Sequence, residues 1–574
     1  MTAGLVAEPT ANLPPTVNVA RRLSAMADLQ PDVVAVAAPR GKNPSGRQDY
    51  DQLTFRQLDQ DSNRIASGLV RLGVAPGTRL ALLVRPGVDF VSLVFGLFKA
   101  GAVAILIDPG MGRRNLVACL EAAEPEGFVA IPAAQAVRRL LAHRFPKARF
   151  NVTVGRRLFW GGTTLAALRA SGQADFEPVA TRAEDPAAII FTTGSTGPPK
   201  GVLYQHGNFE AQVEQLGQAF RISPGEIDLA GFPLFGLFNG AMGVTTIVPV
   251  MDPTRPAKVV PKKLLAAIRD WRVTQSFGSP AIWNRVALDC EKTGQRIESL
   301  MRVISAGAPV PAHVLARMKS CLPEGTEIHT PYGATEALPV ASITASEILG
   351  ETQAQTRLGA GVCVGRRFSG IRWQVIRIVD GPIATLADVE PLPAGQIGEL
   401  IVTGPVVTRE YVTRREWNAL AKITDGPDVW HRMGDTGYLD DRERFWFCGR
   451  VAHRVLSADG PMYTSPCEEI FNQHPAVYRS ALVGIGPNTK DVVGRQRPVI
   501  VVECWPKQQP RGPSARRAMV AQLRGLAQAN PLTRQIDDFL FVRAMPVDIR
   551  HNAKIFREQL AVWAAAKLGF RGPH

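Results

Sequence analysis

The chain contains no Cys-x-x-Cys pair. Its seven cysteines, Cys119, Cys290, Cys321, Cys363, Cys448, Cys467 and Cys504, are scattered and have no histidine at metal-ligand spacing. That argues against a zinc ribbon or a disulfide scaffold and predicts reduced, mostly buried thiols in a cytoplasmic protein. No secretory signal is expected in MTAGLVAEPTANLPPTV, which has no basic stretch followed by an apolar core, and residues 1–15 read as a loose tail. No apolar run is long enough for a transmembrane segment. The most apolar stretch, 91–107, carries Lys99 and two glycines and fits a buried helix running into the strand AVAILID. A peripheral membrane contact stays open. No fixed-period repeat is visible, which argues against a solenoid. Neither sign of charge is massed. Lys and Arg number 66 against 51 Asp and Glu, a net +15, yet the one local basic cluster (Lys507, Arg511, Arg516, Arg517) sits in a Pro-rich stretch. This reads as a solubilising surface, with no nucleic-acid partner.

What remains is a globular chain of 574 residues, 45% hydrophobic and 20% charged, too long for one ordinary domain. It is organised around residues 191–202, FTTGSTGPPKGV. The apolar run Ala187, Ala188, Ile189, Ile190, Phe191 predicts a buried strand that empties into Thr192, Thr193, Gly194, Ser195, Thr196 and Gly197, then two prolines, Lys200 and Gly201. Glycines let backbone N–H groups crowd an anion, hydroxyls donate to it, and a lysine adds mobile positive charge. This is a phosphate-handling loop, but not a Walker A loop, because Lys200 lies between proline and glycine.

Helical spacing covers Val17–Met26 and Thr54–Leu72, the latter with Leu58, Ile65, Leu69 and Leu72 on one face. Short strands alternate with helices: Leu80–Val84, Val103–Ile107, Gly127–Ile131, and again Ile247–Val250, Ser276–Gly278, Val303–Ser305. The rhythm predicts α/β units on a mainly parallel sheet. From about Ala360 to Thr403 it gives way to short strands with Gly/Pro turns, Ile371–Val379 and Ile397–Val402, a small β-rich subdomain. A second boundary falls near Arg450. Beyond it come a helix at Pro466–Gln473, strands at Ser480–Val483 and Val499–Glu503, a helix at Ser514–Ala529 and a strand at Phe539–Arg543. These form an α+β module large enough to be its own domain.

The motifs FTTGSTGPPKGV, FPLFGLFNG (232–240), SAGAP (305–309), TPYGATE (330–336), GELIVTG (398–404), MGDTGYLD (433–440), FCGRV (447–451) and RHNAKIFREQL (550–560) occur in that order. From about residue 20 onward the chain thereby resembles the adenylate-forming superfamily of acyl-CoA synthetases, luciferases and peptide-synthetase adenylation domains. The resemblance implies an AMP-binding N-terminal domain (1–449) and a mobile C-terminal domain (450–574) joined by a hinge. It implies ATP and Mg²⁺ as the nucleotide and its metal. Thr192, Thr193, Gly194, Ser195, Thr196, Gly197 and Lys200 would hold phosphates, with Gly307 and Ala308 in the nucleotide site. Tyr332 offers an aromatic face for adenine beside Gly333, Thr335 donates to the α-phosphate, and Glu336 is a hard oxygen ligand for Mg²⁺. Asp435 would bind the ribose hydroxyls and Arg450 ribose and phosphate. Lys554 would reach the reacting carboxylate and α-phosphate when its domain closes. Thr193, Lys200, Glu336 and Lys554 are the catalytic set. Taken alone, the YGATE stretch has a competing, less favoured reading as a strand-to-helix turn with a capping Thr/Glu pair. Retention of Thr193, Lys200, Glu336, Asp435 and Lys554 argues against a non-catalytic nucleotide- or lipid-binding relative.

Departures from the superfamily pattern bear on substrate. The usual glycine before the RHNAKI lysine is Ala553. FPLFGLFNG has no aspartate to pair a substrate ammonium, which disfavours amino acids. Gly236 stands where relatives carry histidine or a bulky aromatic, and with Phe235, Leu237 and Phe238 it predicts an open apolar channel for a long acyl chain; plain core packing is the competing reading. At the hinge, Ala452 replaces a polar pivot and Leu456 a lysine, which puts thioester formation in doubt. Stretches 107–132, 232–258, 307–318 and 330–343 resemble the β-lactone synthetase subfamily of bacterial long-chain olefin biosynthesis. That resemblance implies ATP-dependent closure of a long-chain 2-alkyl-3-hydroxy fatty acid to a β-lactone, with AMP and pyrophosphate released. The competing reading is a long-chain acyl-CoA or acyl-carrier ligase. Other enzymes of the same lipid pathway are candidate partners. His453 is a candidate base for the substrate hydroxyl.

Overall fold

The computed structural model describes residues 16–192, 198–232, 234–486, 496–547 and 554–570. The tail 1–15 lies outside them. A seven-stranded sheet runs, in spatial order, Thr163–Thr164, Phe150–Thr153, Gly127–Ala130, Arg79–Leu83, Val103–Leu106, Pro186–Phe191 and Gly201–Gln205. All neighbours are parallel except the last pair. Its central strands Gly127–Ala130, Arg79–Leu83 and Val103–Leu106 are largely apolar, as expected of parallel strands covered on both faces. The helix Phe55–Arg71 packs on the helix Val88–Lys99. It starts where Thr54 and Gln57 cap each other reciprocally, the Thr54 hydroxyl accepting from Gln57 N and the Gln57 side chain from Thr54 N. The predicted helix at Val17–Met26 begins later, at Arg21. The Asn18 carboxamide accepts from Ala20 N and donates to Phe98 O, which holds the preceding backbone out of helix.

Lys99, fully buried at the end of its helix, donates to Asp59 Oδ1 and Asn63 Oδ1, both at 2.6 Å. Burial lowers its pKa against the pull of Asp59. The helix Val88–Lys99 leads into the strand Val103–Leu106, and no described helix is long and apolar enough to cross a membrane.

A second sheet of 14 strands has the antiparallel pair Gln48–Thr54/Val34–Lys42 at one edge and then runs parallel, with Val34–Lys42, Thr245–Ile247, Ile227–Ala230, Gln275–Gly278, Arg302–Ser305 and Glu327–Ala334 as neighbours. At the hairpin Glu327–Ala334/Ala337–Thr344 it turns antiparallel and continues through Val362–Arg367, Phe445–Arg450, Asp428–Leu439, Gly398–Thr403 and Arg372–Ile376. The predicted β-rich stretch is therefore hydrogen-bonded to the α/β part without a break, and it reaches residue 450.

Beyond Arg450 a three-stranded sheet forms from Val477–Ile485, Arg497–Cys504 and Asp538–Val542. Strand alternation sorts its side chains to two faces. Leu482, Ile500 and Val502 meet Met519, Leu523 and Ala527 of the helix Gly512–Ala529. Ala481, Val483, Val499 and Val501 meet Leu560 and Ala564 of the helix Arg557–Lys567. This smaller α+β part thus has a core on each face of its sheet.

Candidate active site

The phosphate-type loop leaves the carboxyl end of the strand Pro186–Phe191 and is closed at its base. Thr192 N donates to Lys200 O (2.9 Å), and Lys200 N donates to the Thr192 hydroxyl (3.1 Å). Thr193, Gly194, Ser195, Thr196 and Gly197 lie outside the described residues. Lys200 Nζ sits over the rings of Trp417 (4.3 Å) and Tyr411 (4.9 Å). Burial lowers its pKa, and the nearby charge of Glu336 opposes that shift.

TPYGATE is a strand-to-strand turn. Gly333 forms an irregularity in the ladder, where an added Cβ would come within 2.7 Å of Ala337 O. The turn presents Thr335, half-buried, and Glu336, buried. Tyr204 Oη donates to Thr335 O at 2.6 Å, and Tyr411 Oη donates to Glu336 Oε1 at 2.6 Å. Burial and the charge of Glu336 push the Tyr411 phenol far up.

A short strap, Val407–Thr413, joins this turn to the loop. Thr408 donates from its N–H and hydroxyl to Glu336 O, Leu203 N donates to Glu410 O, and Gly201 N donates to the Thr413 hydroxyl. Lys422 Nζ donates to Thr408 O, and burial pushes its pKa down to about 7 despite Glu336.

Asp435 and Arg450 face each other across adjacent antiparallel strands, the position where cross-strand side chains meet. Arg450 Nη1 lies 3.0 Å from Asp435 Oδ1 and donates to Met433 O. Tyr332 Oη donates to Asp435 Oδ2 at 2.5 Å. Burial raises the Asp435 pKa, while Arg450 and Tyr332, then Lys554 and His453, oppose that rise. Asp435 holds the Arg450 guanidinium charged. Asp435 Oδ1 is buried and, apart from its ion pair with Arg450, accepts no hydrogen bond from the described residues. The structure brings Lys554, from the C-terminal part, within electrostatic reach of this carboxylate.

Gly307 (φ +93°, exposed) and Ala308 follow the strand Arg302–Ser305. Their neighbour Ala306 lines an apolar cavity of about 40 Å³, together with Phe238, Met242, Phe277, Pro331 and Gln212. At the opposite ends of the parallel strands, Asp228 lines it too, accepting from Asn239 Nδ2 (2.7 Å) and Phe277 N (3.2 Å). Burial pushes the Asp228 carboxyl up to about 7. A second cavity of about 10 Å³, bounded by Phe95, Phe98 and Leu237, shares Phe238 as a wall.

Gly236 does not open this cavity. It is buried, and an added Cβ would meet Thr246 Cγ2 at 3.1 Å. The apolar cavity lies instead beside Phe238, two residues on. His453 Nε2 lies 3.1 Å from Glu558 Oε1, on the junction with the C-terminal helix. Sequence reasoning missed Tyr411, Lys422, Asp228 and Gln212. Among the described residues no group of three His, Cys, Asp or Glu side chains is arranged to hold a metal ion.

A family profile described as AMP-binding enzyme matches residues 23–412. The chain is 47% identical to the olefin beta-lactone synthetase of Stenotrophomonas maltophilia (strain K279a), over 96% of this chain and 98% of that protein. It is 46% identical to the olefin beta-lactone synthetase of Xanthomonas campestris pv. campestris, over 96% and 97%. The structure of ATP-bound MatB from Rhodopseudomonas palustris superimposes with a TM-score of 0.74 at 20% identity, covering 97% of this chain and all of that one, a likeness of fold. The chain belongs to the AMP-binding enzyme family.

Proposed function

We propose that the chain activates a 2-alkyl-3-hydroxy fatty acid with ATP and closes the acyl-adenylate to a β-lactone, releasing pyrophosphate and then AMP. The observation that carries this reading is the near-complete alignment with olefin beta-lactone synthetases at 47% identity. The substrate carboxylate attacks the α-phosphorus and pyrophosphate leaves. The 3-hydroxyl oxygen then attacks the acyl carbon, the acyl C–O bond to phosphate breaks, AMP departs, and the hydroxyl proton passes to the departing phosphate or to water. Holding both reacting groups in one bound molecule is worth about 7–11 kcal/mol of barrier when aligned, which offsets part of the four-membered ring strain.

In this reading the loop Thr192–Gly197 and Lys200 bind the phosphates, Thr335 donates to the α-phosphate, and Tyr332, Gly333, Gly307 and Ala308 border the base. Asp435 takes the ribose hydroxyls, with Arg450 beside it. Lys554 reaches the reacting carboxylate from the mobile part, taken as 450–574 against 1–449. A single buried carboxylate, with phosphates completing the shell, suits Mg²⁺, and Glu336 fits that pattern with Oε1 held by Tyr411. Mg²⁺ would neutralise phosphate charge as it builds. The cavity beside Phe238 is too small for a long alkyl chain as it stands, so Phe238 and Met242 must shift on binding.

The test is mass spectrometry of products from a 2-alkyl-3-hydroxy acid, with and without CoA. β-Lactone and AMP formed without CoA support the reading. AMP release that requires CoA, with acyl-CoA as sole product, overturns it in favour of a ligase.

A further inference from the structure

Three amide side chains of the helix His206–Phe220 each donate from their nitrogen to a backbone carbonyl: Asn208 to Pro405 O (2.8 Å), Gln212 to Leu338 O (2.7 Å) and Gln215 to Ser369 O (2.8 Å). Because the partner is a carbonyl, the donating atom must be nitrogen, which fixes the orientation of each amide. The Gln212 side chain also lies beside Tyr204. Its oxygen is therefore the end left over. Gln212 is 2% exposed, and Oε1 accepts no hydrogen bond from the described residues. Gln215 shares that arrangement, but only Gln212 lines the acyl cavity.

Its position along that cavity matters. Gln212 is tied to Leu338, two residues after Glu336, and neighbours Tyr204, whose hydroxyl holds Thr335 O. It therefore stands at the nucleotide end of the cavity. Asp228, the other polar group considered, stands at the far end with both oxygens engaged. A hydroxyl on the third carbon of a bound acid lies two carbons from the carboxyl group, so only the Gln212 end is within its reach. A buried, unpaired amide oxygen on a residue that lines this apolar cavity needs a donor, and a 3-hydroxyl is one.

Resting on the lactone reading above, we propose that Gln212 Oε1 accepts the hydrogen bond of the substrate's 3-hydroxyl and so selects 3-hydroxy acids and aims that oxygen at the acyl carbon. A site built to pair a hydroxyl rejects analogues that lack one far more strongly than a purely apolar wall does.

Adenylation is measured by pyrophosphate exchange with three acids of equal chain length: 3-hydroxy, 3-deoxy and 3-fluoro, the last close in size but without a donor. The wild-type enzyme should prefer the hydroxy acid over both by about tenfold or more in kcat/KM. Gln212→Leu should collapse that ratio to near unity. Gln212→Glu, which keeps an acceptor oxygen, should retain it, and so should Gln215→Leu, which removes the same kind of structural bond away from the cavity. Equal use of the 3-fluoro acid by the wild type, or an unchanged ratio in Gln212→Leu, overturns the assignment. The wild-type comparison decides the matter even if Gln212→Leu fails to fold. Lactone formation by the wild type is read separately: a strong hydroxyl preference without lactone would sink the lactone reading and leave the Gln212 contact standing.

Discussion

Around Asp435 the carboxylate is met by polar and charged groups of the protein: the Tyr332 hydroxyl donates to Oδ2, the Arg450 guanidinium is ion-paired with Oδ1, and Lys554 adds its charge. In the cavity beside Phe238 the walls are apolar, and Gln212 Oε1 has no protein partner among the described residues. The first region is prepaid with hydrogen bonds and charge, as suits a ligand whose polar groups never vary. The second leaves its definition to the ligand: alkyl groups for the walls, one hydroxyl for the lone acceptor. Fixed dipoles favour a developing phosphate charge because they need not reorganise as it appears. An apolar wall asks only for shape and tolerates chains of different length.

The most damaging way to break the nucleotide side is Lys554→Ala. Acyl-adenylate formation should fall by about a hundredfold or more, the scale of losing one stabilising donor at a reacting centre. ATP binding, measured by calorimetry, should change little; wild-type pyrophosphate release in the variant would remove Lys554 from the reaction. Glu336→Gln keeps the shape and the Tyr411 contact but removes the charge a hard cation prefers. Activity at limiting Mg²⁺ should drop by about tenfold and recover partly at high Mg²⁺, as a metal titration would reveal.

The comparison sharpens further at Asp228. Burial raises its carboxyl from the ordinary range to about 7, so the folded chain keeps a proton that the unfolded chain loses above about pH 4. The stability this group contributes is fully present below that pH and is lost as pH rises to about 7. Asp228→Asn should therefore flatten that part of the melting-temperature profile between pH 4 and 7, whatever its effect on absolute stability. A wild-type slope in the variant would mean the carboxyl ionises freely. Smallest of all, Tyr332→Phe removes one hydrogen bond to Asp435, worth about 1–2 kcal/mol, and should raise the KM for ATP several-fold while leaving the hydroxy-acid preference intact.

Much of this architecture could be read before any coordinates. The helix Phe55–Arg71 was legible from its apolar period, and the C-terminal strands as short apolar runs. The motifs that supply the candidate site were legible by their order along the chain. Tyr411 was not, since its importance comes from reaching Glu336, 75 positions away, and nothing beside it in sequence marks it. Gln212 was hidden for the same reason: its partner is 126 positions distant. Gly236 misled because an absent side chain predicts space only if no neighbour fills it, and Thr246 does. The turn after Tyr332 could be read as a helix entry because its Thr/Glu pair resembles a cap; cross-strand pairing of Ala334 with Ala337 decided otherwise.

The strap Val407–Thr413 carries a consequence for how the two large sheets relate. It bridges Val202 of one through Tyr411 and Ala337 of the other through Val407. Lys200 and Glu336 sit on opposite sheets, and both rest against Tyr411. The spacing between a phosphate-type lysine and a metal-type carboxylate is thus gauged by seven residues that belong to neither sheet. A slip of one sheet against the other would be registered first as a change of span between those two charges, well before either sheet lost a strand.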